Sequence, residues 1–365
     1  MAIPKQVPVF SQPNAQSQYK KLVLVLGVGH GFSDAVAGYL MGSLAYRTDF
    51  AQTGEAILLY NLLAFGGQLP VGIWLDRMKN SKDAVLLSTL GMIVALRLVS
   101  ENIWLFTILS GISSAFFHVA AGGISLLSQP NRASCMGVFS SFGIIGLAFG
   151  GLSATMHWTW AQYLLIAGLV IILILVSETK FPSLLKKELL GQETITLDPH
   201  DYLMILLLIA IALRSAIWNF VQLLYTEKYD WLLYMALAAF IGKLLGGWVS
   251  DKIGWQRYTI GALAMAIPAL SWGYRKLFWL MLGVGLLQSI IPVSAVLMAK
   301  AFPKHPFTAS GMAFGLAISL GGLVEIMTPH GLYPFLFSLI IILGLFSLWL
   351  YFYAFKVFKT LPKIS

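Results

Sequence analysis

The feature that most constrains this chain is a succession of apolar stretches of about 20 residues, joined by very short polar loops. A helix needs about 20 mostly apolar residues to cross the hydrocarbon core of a bilayer. The pattern predicts an all-α membrane protein with twelve transmembrane helices. The predicted spans are 22–45, 54–75, 83–100, 103–127, 134–155, 161–177, 202–225, 231–250, 258–273, 277–299, 308–327 and 333–355.

The amino-acid composition also indicates that most of the chain's surface faces lipid and not water. Only 11% of the 365 residues are charged, 58% are hydrophobic, and the mean hydropathy is +0.80. A soluble domain carries about 25% charged residues, so this chain has too few polar groups to cover a water-exposed surface. The net charge of +9 is spread over short loops without a basic patch, so no nucleic-acid partner is expected. Because Cys135 is the only cysteine, an intramolecular disulfide is excluded, and no metal or cofactor site is predicted.

Hydropathy divides the chain into five segments. Residues 1–20 are polar and are predicted to form a disordered cytoplasmic arm without a removable signal peptide. Two six-helix halves follow at 21–177 and 202–355, and a polar cytoplasmic linker at 178–201 joins them. Residues 356–365 are predicted to form a cytoplasmic tail.

The distribution of lysine and arginine predicts the orientation. With both termini on one side, 17 of the 24 Lys and Arg residues fall on that side, five on the other and two within spans. Cytoplasmic loops of membrane proteins carry the excess of positive charge. Both termini are therefore predicted to be cytoplasmic, in a monomer embedded in the lipid bilayer of the plasma (inner) membrane.

One segment of the second predicted helix recurs in the eighth. Residues 64–77, AFGGQLPVGIWLDR, return as residues 239–252, AFIGKLLGGWVSDK, at an offset of 175. Six of the 14 positions are identical, where chance would give about one or two. The two halves are therefore predicted to be repeats of one six-helix unit.

Both copies end in a segment similar to the loop signature of the major facilitator family, Gly-x-x-x-Asp-Arg-x-Gly-Arg. The second copy matches well, and the first has Lys79 in place of the glycine. The resemblance implies two pseudo-twofold-related halves that rock about a substrate site near the midplane. It also implies gating loops, with candidate residues Asp76, Arg77, Asp251, Lys252 and Arg257.

Two shorter stretches resemble the fosmidomycin-resistance-type branch of that family. They are His30-Gly-Phe-Ser-Asp34 in the first helix and Ser114-Ala-Phe-Phe-His118 in the fourth. Ser33 stands where the branch has asparagine, and Val119 stands where it has proline. The resemblance implies proton-driven movement of a drug or metabolite, and it favours efflux by an antiporter.

Five ionisable side chains fall inside predicted spans: His30, Asp34, His118, Arg214 and Lys243. A charge at the centre of a span costs about 2.5–3.5 kcal/mol, so each is a candidate functional residue. Asp34, His30 and His118 are predicted to couple transport to protons, because carboxylates and imidazoles titrate when their surroundings change. The alternative for the histidines is hydrogen bonding to neighbouring helices.

A repeat offset of about 180 in the seventh helix places Arg214 opposite Asp34, so the two are predicted to face each other across the pseudo-twofold axis. A fixed structural pair is the alternative. Lys243 is expected to extend toward the membrane interface, with service at the gate near Asp251 as the alternative. Arg214 is also a candidate ligand for an anionic substrate. Further substrate-binding candidates are Trp218, Asn219, Gln222 and Gln288, with plain helix packing as the alternative for the first three.

The predicted function is secondary active transport of a small anionic organic solute by proton-coupled alternating access, with efflux favoured. A non-transporting scaffold on the same fold is the alternative, because fold alone does not determine function. A scaffold would have no reason to keep Asp34 and Arg214 inside the membrane. An enzyme is not expected, since the sequence contains no nucleophile–base motif, no His-Glu-x-x-His and no nucleotide-binding loop.

Overall fold

A computed structural model describes the chain in seven parts. They are residues 13–78, 80–179, 181, 198–225, 228–273, 275–326 and 335–361. Most of the predicted arm (1–12), most of the linker (182–197) and the end of the tail (362–365) lie outside the described residues.

The described residues form twelve helical rods, numbered here α1 to α12, and no β-strand. They are α1 Pro13–Arg47, α2 Phe50–Arg77, α3 Ser81–Arg97, α4 Ile103–Ser128, α5 Ala133–Thr155, α6 Thr159–Glu178, α7 Pro199–Leu223, α8 Tyr229–Ile253, α9 Trp255–Ser271, α10 Leu277–Ala301, α11 306–326 and α12 Leu336–Thr360.

Nine of the rods in the described part are long and apolar enough to cross a membrane. The others are α3 and α9, with 17 residues each, and the segmented α11. The all-α fold and its place in a membrane agree with the sequence, and the count of twelve spans stays a prediction.

The ends of the chain's helices differ from the predicted spans. α1 begins at Pro13, so residues 13–20 of the predicted arm are helical, and α12 continues to Thr360, inside the predicted tail. Hydropathy marks only the part of a helix that lies in lipid, and polar residues can continue the same helix into water.

Three rods are interrupted near their middles. α2 contains a π-helical segment at Leu62–Gly66, the α-helix of α10 is interrupted at Ile290, and α11 contains a second π segment at Gly311–Leu316. Pro292 follows the break in α10, where its missing N–H removes one hydrogen bond of the helix. Such interruptions place side chains and backbone at functional positions inside helical proteins.

The rods alternate in direction between two faces of the molecule. We call the face where α1 begins and α12 ends the terminal face, and the other the opposite face. On the terminal side, α2 and α4 of the first half (α1–α6) pack against α11 of the second half (α7–α12), and α5 packs against α8 and α10. Nearer the opposite face, Phe50–Asn61 of α2 packs against α1 and α4 of its own half.

Small residues allow these contacts between the halves, and they repeat with the pseudo-symmetry of the chain. A Cβ at Gly72 would lie 2.6 Å from the carbonyl oxygen of Phe307, and a Cβ at Gly247 would lie 2.8 Å from that of Ala133. Backbones approach this closely only where no side chain intervenes. The two contacts are copies of one another, so the structure agrees with the repeat read from the sequence.

Candidate functional site

A cavity of about 330 Å³ lies between the two halves near the middle of the helices. The π segments and the broken α10 all contribute to its walls, through Phe65, Phe314 and Ile291. On the terminal side, ring contacts between the halves close it, with 6.2 Å between the centroids of Phe139 and Phe314. The halves are therefore in contact on the terminal side of the cavity, and the lining continues toward the opposite face through Met41 and Leu147.

Three predicted proton-coupling residues meet in this cavity. Asp34 Oδ1 lies 3.0 Å from His118 Nε2, and Asp34 Oδ2 lies 3.3 Å from His30 Nε2. His30 and Asp34 are one turn apart on α1, while His118 comes from α4. Gly143 of α5 makes room, since a Cβ there would lie 2.7 Å from His30 Nε2. We call His30, Asp34 and His118 the acid cluster.

The other nitrogen of each imidazole fixes its tautomer. His30 Nδ1 lies 2.8 Å from the carbonyl oxygen of Phe139, and His118 Nδ1 lies 2.8 Å from that of Ser114. A carbonyl oxygen can only accept, so each Nδ1 must carry a proton and donate it. In a neutral imidazole, Nε2 then has a lone pair that faces the carboxylate, and the two repel each other. If each Nε2 binds one more proton, both histidines donate a hydrogen bond to Asp34.

Two buried cations line the same cavity. Arg214 of α7 is 3% exposed, makes no hydrogen bond or ion pair with any described residue, and has its Nε buried without an acceptor. Lys243 of α8 donates from Nζ to the carbonyl oxygen of Ser140 at 3.2 Å and has no acidic partner among the described residues. The sequence led us to expect that Lys243 extends to the membrane interface. That expectation is wrong, because the side chain points into the cavity.

Asp34 and Arg214, predicted to face each other across the pseudo-twofold axis, form no ion pair. Both side chains line the cavity, but the two histidines occupy the carboxylate. Glycine contacts explain the difference: Gly146 packs on Gly31 in the first half, and Gly321 packs on Ala212 in the second. These pairs give an offset of 181 in α7, one more than assumed, which rotates the assignment by about 100° and makes Ser33 the counterpart of Arg214.

The remaining substrate-binding candidates lie outside the cavity wall. Trp218, Asn219 and Gln222 are half-buried and lie one to two turns nearer the opposite face than Arg214, while Gln288 is buried within α10. Helical spacing correctly groups Trp218, Asn219 and Gln222 on one side of α7. It gives no information about where along the helix the cavity lies.

Sequence reasoning missed the uncharged polar residues of the wall. They are Tyr60, Asn61, Ser114, Ser140 and Ser294. Serine and tyrosine are too common in membrane helices to be singled out without a structure. The interruption of α2 next to Asn61 was also not visible in its hydropathy.

The predicted gating aspartates lie on the terminal side of the cavity. Asp76 accepts hydrogen bonds from the backbone N–H groups of Phe307 and Thr308 at 3.1 and 2.8 Å, at the start of α11. Asp251 accepts from those of Ala133 and Ser134 at 2.8 and 3.0 Å, at the start of α5. A helix N-terminus favours a negative charge, so each aspartate ties one half to the other.

The basic residues of the predicted gating loops do not reach across. Arg77, Lys252 and Arg257 are exposed, and Lys252 Nζ lies 3.4 Å from the ring centroid of Trp248 in its own helix. Within the described residues, the carboxylates connect the halves and the neighbouring cations face outward.

The acid cluster also resembles a set of metal ligands. One ligand atom from each of its three members lies within 4.8 Å of the others. Lys243 and Arg214 line the same small cavity and have no acidic partner among the described residues. Their positive charges would repel a divalent cation bound there. The prediction that the chain has no metal site stays a prediction.

Comparison with known proteins identifies the fold. None of the curated proteins matches the sequence. The structure is similar to a variant of the E. coli fucose:proton symporter FucP, with a TM-score of 0.71 and 13% identity over 94% of this chain and 98% of that chain. It is also similar to FucP in the outward conformation, described as a Major Facilitator Superfamily transporter, with a TM-score of 0.72 and 13% identity over 92% and 99% of the two chains.

At that identity the likeness shows the fold alone, and the sequence itself carries the assignment to a family. The sequence model of the Major Facilitator Superfamily matches residues 23–329, which is most of the chain. A membrane transporter, rather than an enzyme, is the activity that agrees with this match and with the fold. The chain belongs to the Major Facilitator Superfamily.

Proposed function

We propose that this protein carries a small organic anion across the membrane together with protons, by alternating access. One observation carries the proposal: the same cavity contains a carboxylate in contact with two histidines and two buried cations that have no acidic partner among the described residues. FucP is named a fucose:proton symporter, which gives proton coupling a precedent on this fold.

The cations support an anionic solute. Removing a charge from water without a partner is costly, and a protein carries such a group only where something compensates it. Arg214 lacks a partner, and Lys243 has only a carbonyl oxygen. An anion bound between them would supply the negative charge that the described residues do not provide. A non-transporting scaffold would have no use for two such groups.

The acid cluster supports coupling to protons. Without added protons it carries the single negative charge of Asp34, and with two it carries one positive charge. The titratable or charged groups that face it are Tyr60 from α2, Arg214 from α7 and Lys243 from α8. Elements α5, α10 and α11 contribute no ionisable group to the cavity wall in the described part.

Protonation of the cluster therefore favours anion binding. At an effective dielectric of about 20, one unit of charge about 8 Å away is worth about 2 kcal/mol, or about 30-fold in affinity. Protons and the anion then bind together, as they do in symport. Antiport, and the efflux that the fosmidomycin-resistance-type resemblance favours, would require the two to compete.

The contacts of Asp76 and Asp251 between the halves form the gate, and its opening and closing would expose the cavity to one face at a time. If both termini are cytoplasmic, as the charge distribution predicts, the cavity here faces outward and loads from the outside. Asp76 and Asp251 hold the cytoplasmic side closed by their contacts with α11 and α5. Release of these two contacts would allow the halves to rock and expose the loaded site to the cytoplasm.

The test is accumulation by purified protein in liposomes with an acidic exterior. Carboxylates, sulfonates and phosphonates are offered outside, and trapped solute is measured by mass spectrometry against protein-free liposomes. We expect wild type to accumulate at least one anion. We expect Asp34→Asn, which keeps the volume and loses the charge, to equilibrate that anion without accumulating it.

Two results would count against the proposal. Equal accumulation by Asp34→Asn would show that this carboxyl group is not the coupling acid. Transport of cations or neutral solutes only would show that the cavity does not select anions.

A further inference from the structure

The cavity is layered along the membrane normal. The acid cluster, Arg214 and Lys243 form a charged layer near the middle of the helices. Four apolar side chains, which we call the collar, line the cavity nearer the opposite face: Met41, Ile57, Leu147 and Ile318.

Chain direction sets this order. α1 runs toward the opposite face, so Met41 lies seven residues, or about 10 Å, beyond Asp34. α5 and α11 run the same way, and Leu147 and Ile318 lie four residues, or about 6 Å, beyond Gly143 and Phe314.

The uncharged polar groups of the wall are largely occupied. Ser114 Oγ lies 3.2 Å from His118 Nδ1, and Ser294 Oγ lies 2.6 Å from the hydroxyl group of Tyr351. Ser140 Oγ is buried away from the surface of the cavity. Of the remaining two, the Tyr60 hydroxyl group has a side-chain hydrogen bond with Ser114, which leaves Asn61 to offer uncharged polar atoms to a ligand.

A solute rich in hydroxyl groups would therefore exchange many hydrogen bonds to water for few in the cavity, and each polar group left unpaired costs about 1–3 kcal/mol. An apolar group in the collar loses nothing of this kind and gains from leaving water.

Building on the proposed anion transport, we infer that the substrate is an amphipathic anion with one charged head group and an apolar tail. The head, a carboxylate, sulfonate or phosphonate, binds Arg214 and Lys243 in the charged layer. The tail lies along the collar toward the opposite face. A second charge on the tail would fall among Met41, Ile57 and Leu147, where no described group could compensate it.

The test is a binding series on the full-length protein in lipid nanodiscs, measured by calorimetry. The probes are ethane-, butane-, hexane- and octanesulfonate, because sulfonates stay charged at every pH used. Each added methylene buried in the collar should tighten binding about fourfold, or about 15-fold for each step of the series. Gluconate, which has a carboxylate and a hydroxylated chain, should bind at least 100-fold more weakly than hexanesulfonate.

Variants separate the head from the tail. Arg214→Gln should remove binding of every member of the series. Met41→Gln keeps nearly the same side-chain volume, and Ile57→Thr replaces an ethyl group by a hydroxyl group. Both variants should flatten the chain-length dependence and change ethanesulfonate binding least.

The outcomes are distinguishable from failure of the proposed function. If gluconate or inorganic phosphate binds as tightly as octanesulfonate and needs Arg214, the anion proposal stands and the amphipathic substrate is overturned. If long-chain sulfonates bind equally well to Arg214→Gln, they occupy the lipid-facing surface, and the inference is also overturned. If no anion binds in an Arg214-dependent way, the proposed function itself fails.

Discussion

The two halves of this protein are alike at the gate and unlike at the cavity. At the gate, Asp76 and Asp251 lie 175 residues apart and perform the same task, each accepting two backbone N–H groups at the start of a helix in the other half. Each also has a further donor, Thr308 Oγ1 for the first and Trp255 Nε1 for the second.

At the cavity the repeat has diverged. His30, Asp34 and His118 in the first half correspond to Ile211, Ser215 and Val293 in the second, at offsets of 181 and 175. Conversely, Arg214 and Lys243 correspond to Ser33 and Gln68.

The contacts between the halves are thus shared, while the ionisable residues of the cavity are divided between them. In the proposed function, one half binds the protons and the other supplies the cations that bind the anion. A symmetric motion can then couple two different ligands.

The largest effect is expected from Arg214, because it tests that division directly. Arg214→Met should weaken anion binding at least 100-fold, while the protein without ligand becomes more stable, since an apolar side chain replaces a buried cation that has no partner. Replacing buried ion pairs by apolar residues has stabilised proteins by about 1–4 kcal/mol, and an unpaired cation should gain at least as much. The measurements are calorimetric binding and the melting temperature without ligand.

The sign of that stability change is the critical result. A salt bridge from Arg214 to Asp34, as predicted from the sequence, would make Arg214→Met destabilising and would make removal of both groups milder. The observed geometry predicts the reverse. The matched control from the first half is Asp34→Asn, which should keep anion binding and make it less dependent on pH, because the histidines lose the carboxylate that their added protons would contact.

An intermediate effect is expected from the gate, where the halves should respond alike. Asp76→Asn and Asp251→Asn each remove the charge that faces a helix N-terminus, at a cost of about 1–2 kcal/mol to the state closed at the terminal face. Each should therefore shift the conformational equilibrium about 5- to 30-fold toward the state closed at the opposite face.

Thiol labelling can measure this shift. In a Cys135→Ala background, Met41→Cys places one thiol in the collar, and a membrane-impermeant reagent applied at the opposite face reports how often the cavity is open there. Both aspartate variants should slow labelling by a similar factor. A large effect from one variant and none from the other would show that the gate is not symmetric.

The sequence predicted the fold well because the number and length of apolar stretches leave few alternatives inside a bilayer. It also identified each member of the acid cluster, since an ionisable group inside a span is costly and therefore visible. The sequence could not show which of these side chains contact each other. Whether His118 of α4 or Arg214 of α7 lies beside Asp34 depends on helix rotation, and one residue of error in the repeat alignment exchanged the partners.

The same limit applies to Lys243. Its depth of about 12 Å from the nearer membrane edge is compatible both with extending to the interface and with pointing inward. Only the packing of α8 against α5, where Gly137 lies against the backbone of Lys243, decides between the two.

The smallest expected effect concerns the first turns of the two halves. α1 has no acidic residue in its first turn, whereas α7 begins with a capping box outside the membrane-spanning segment. Asp198 Oδ1 accepts hydrogen bonds from the backbone N–H groups of His200 and Asp201 at 2.7 and 3.0 Å, and Asp201 Oδ2 accepts from that of Asp198 at 3.0 Å. The N–H of Asp201, followed by the N–H and ring of His200, holds the pKa of Asp198 below its ordinary value of 3.8.

A carboxyl group whose pKa is lowered in the folded state stabilises that state above its unfolded pKa. The contribution is lost as the pH falls through the folded value. We therefore expect the first turn of α7 to open more easily below about pH 4, by less than about 1 kcal/mol because the carboxylate is exposed and screened.

Hydrogen exchange at the amides of His200 and Asp201, corrected for intrinsic rates between pH 3 and 6, measures this opening locally. Asp198→Asn keeps the cap and loses one of its two carboxylates, so its protection should change less with pH than that of the wild-type protein, while Asp198→Ala should lose protection throughout. If the wild-type protein and Asp198→Asn show the same pH profile, the carboxylate does not stabilise the start of the second half.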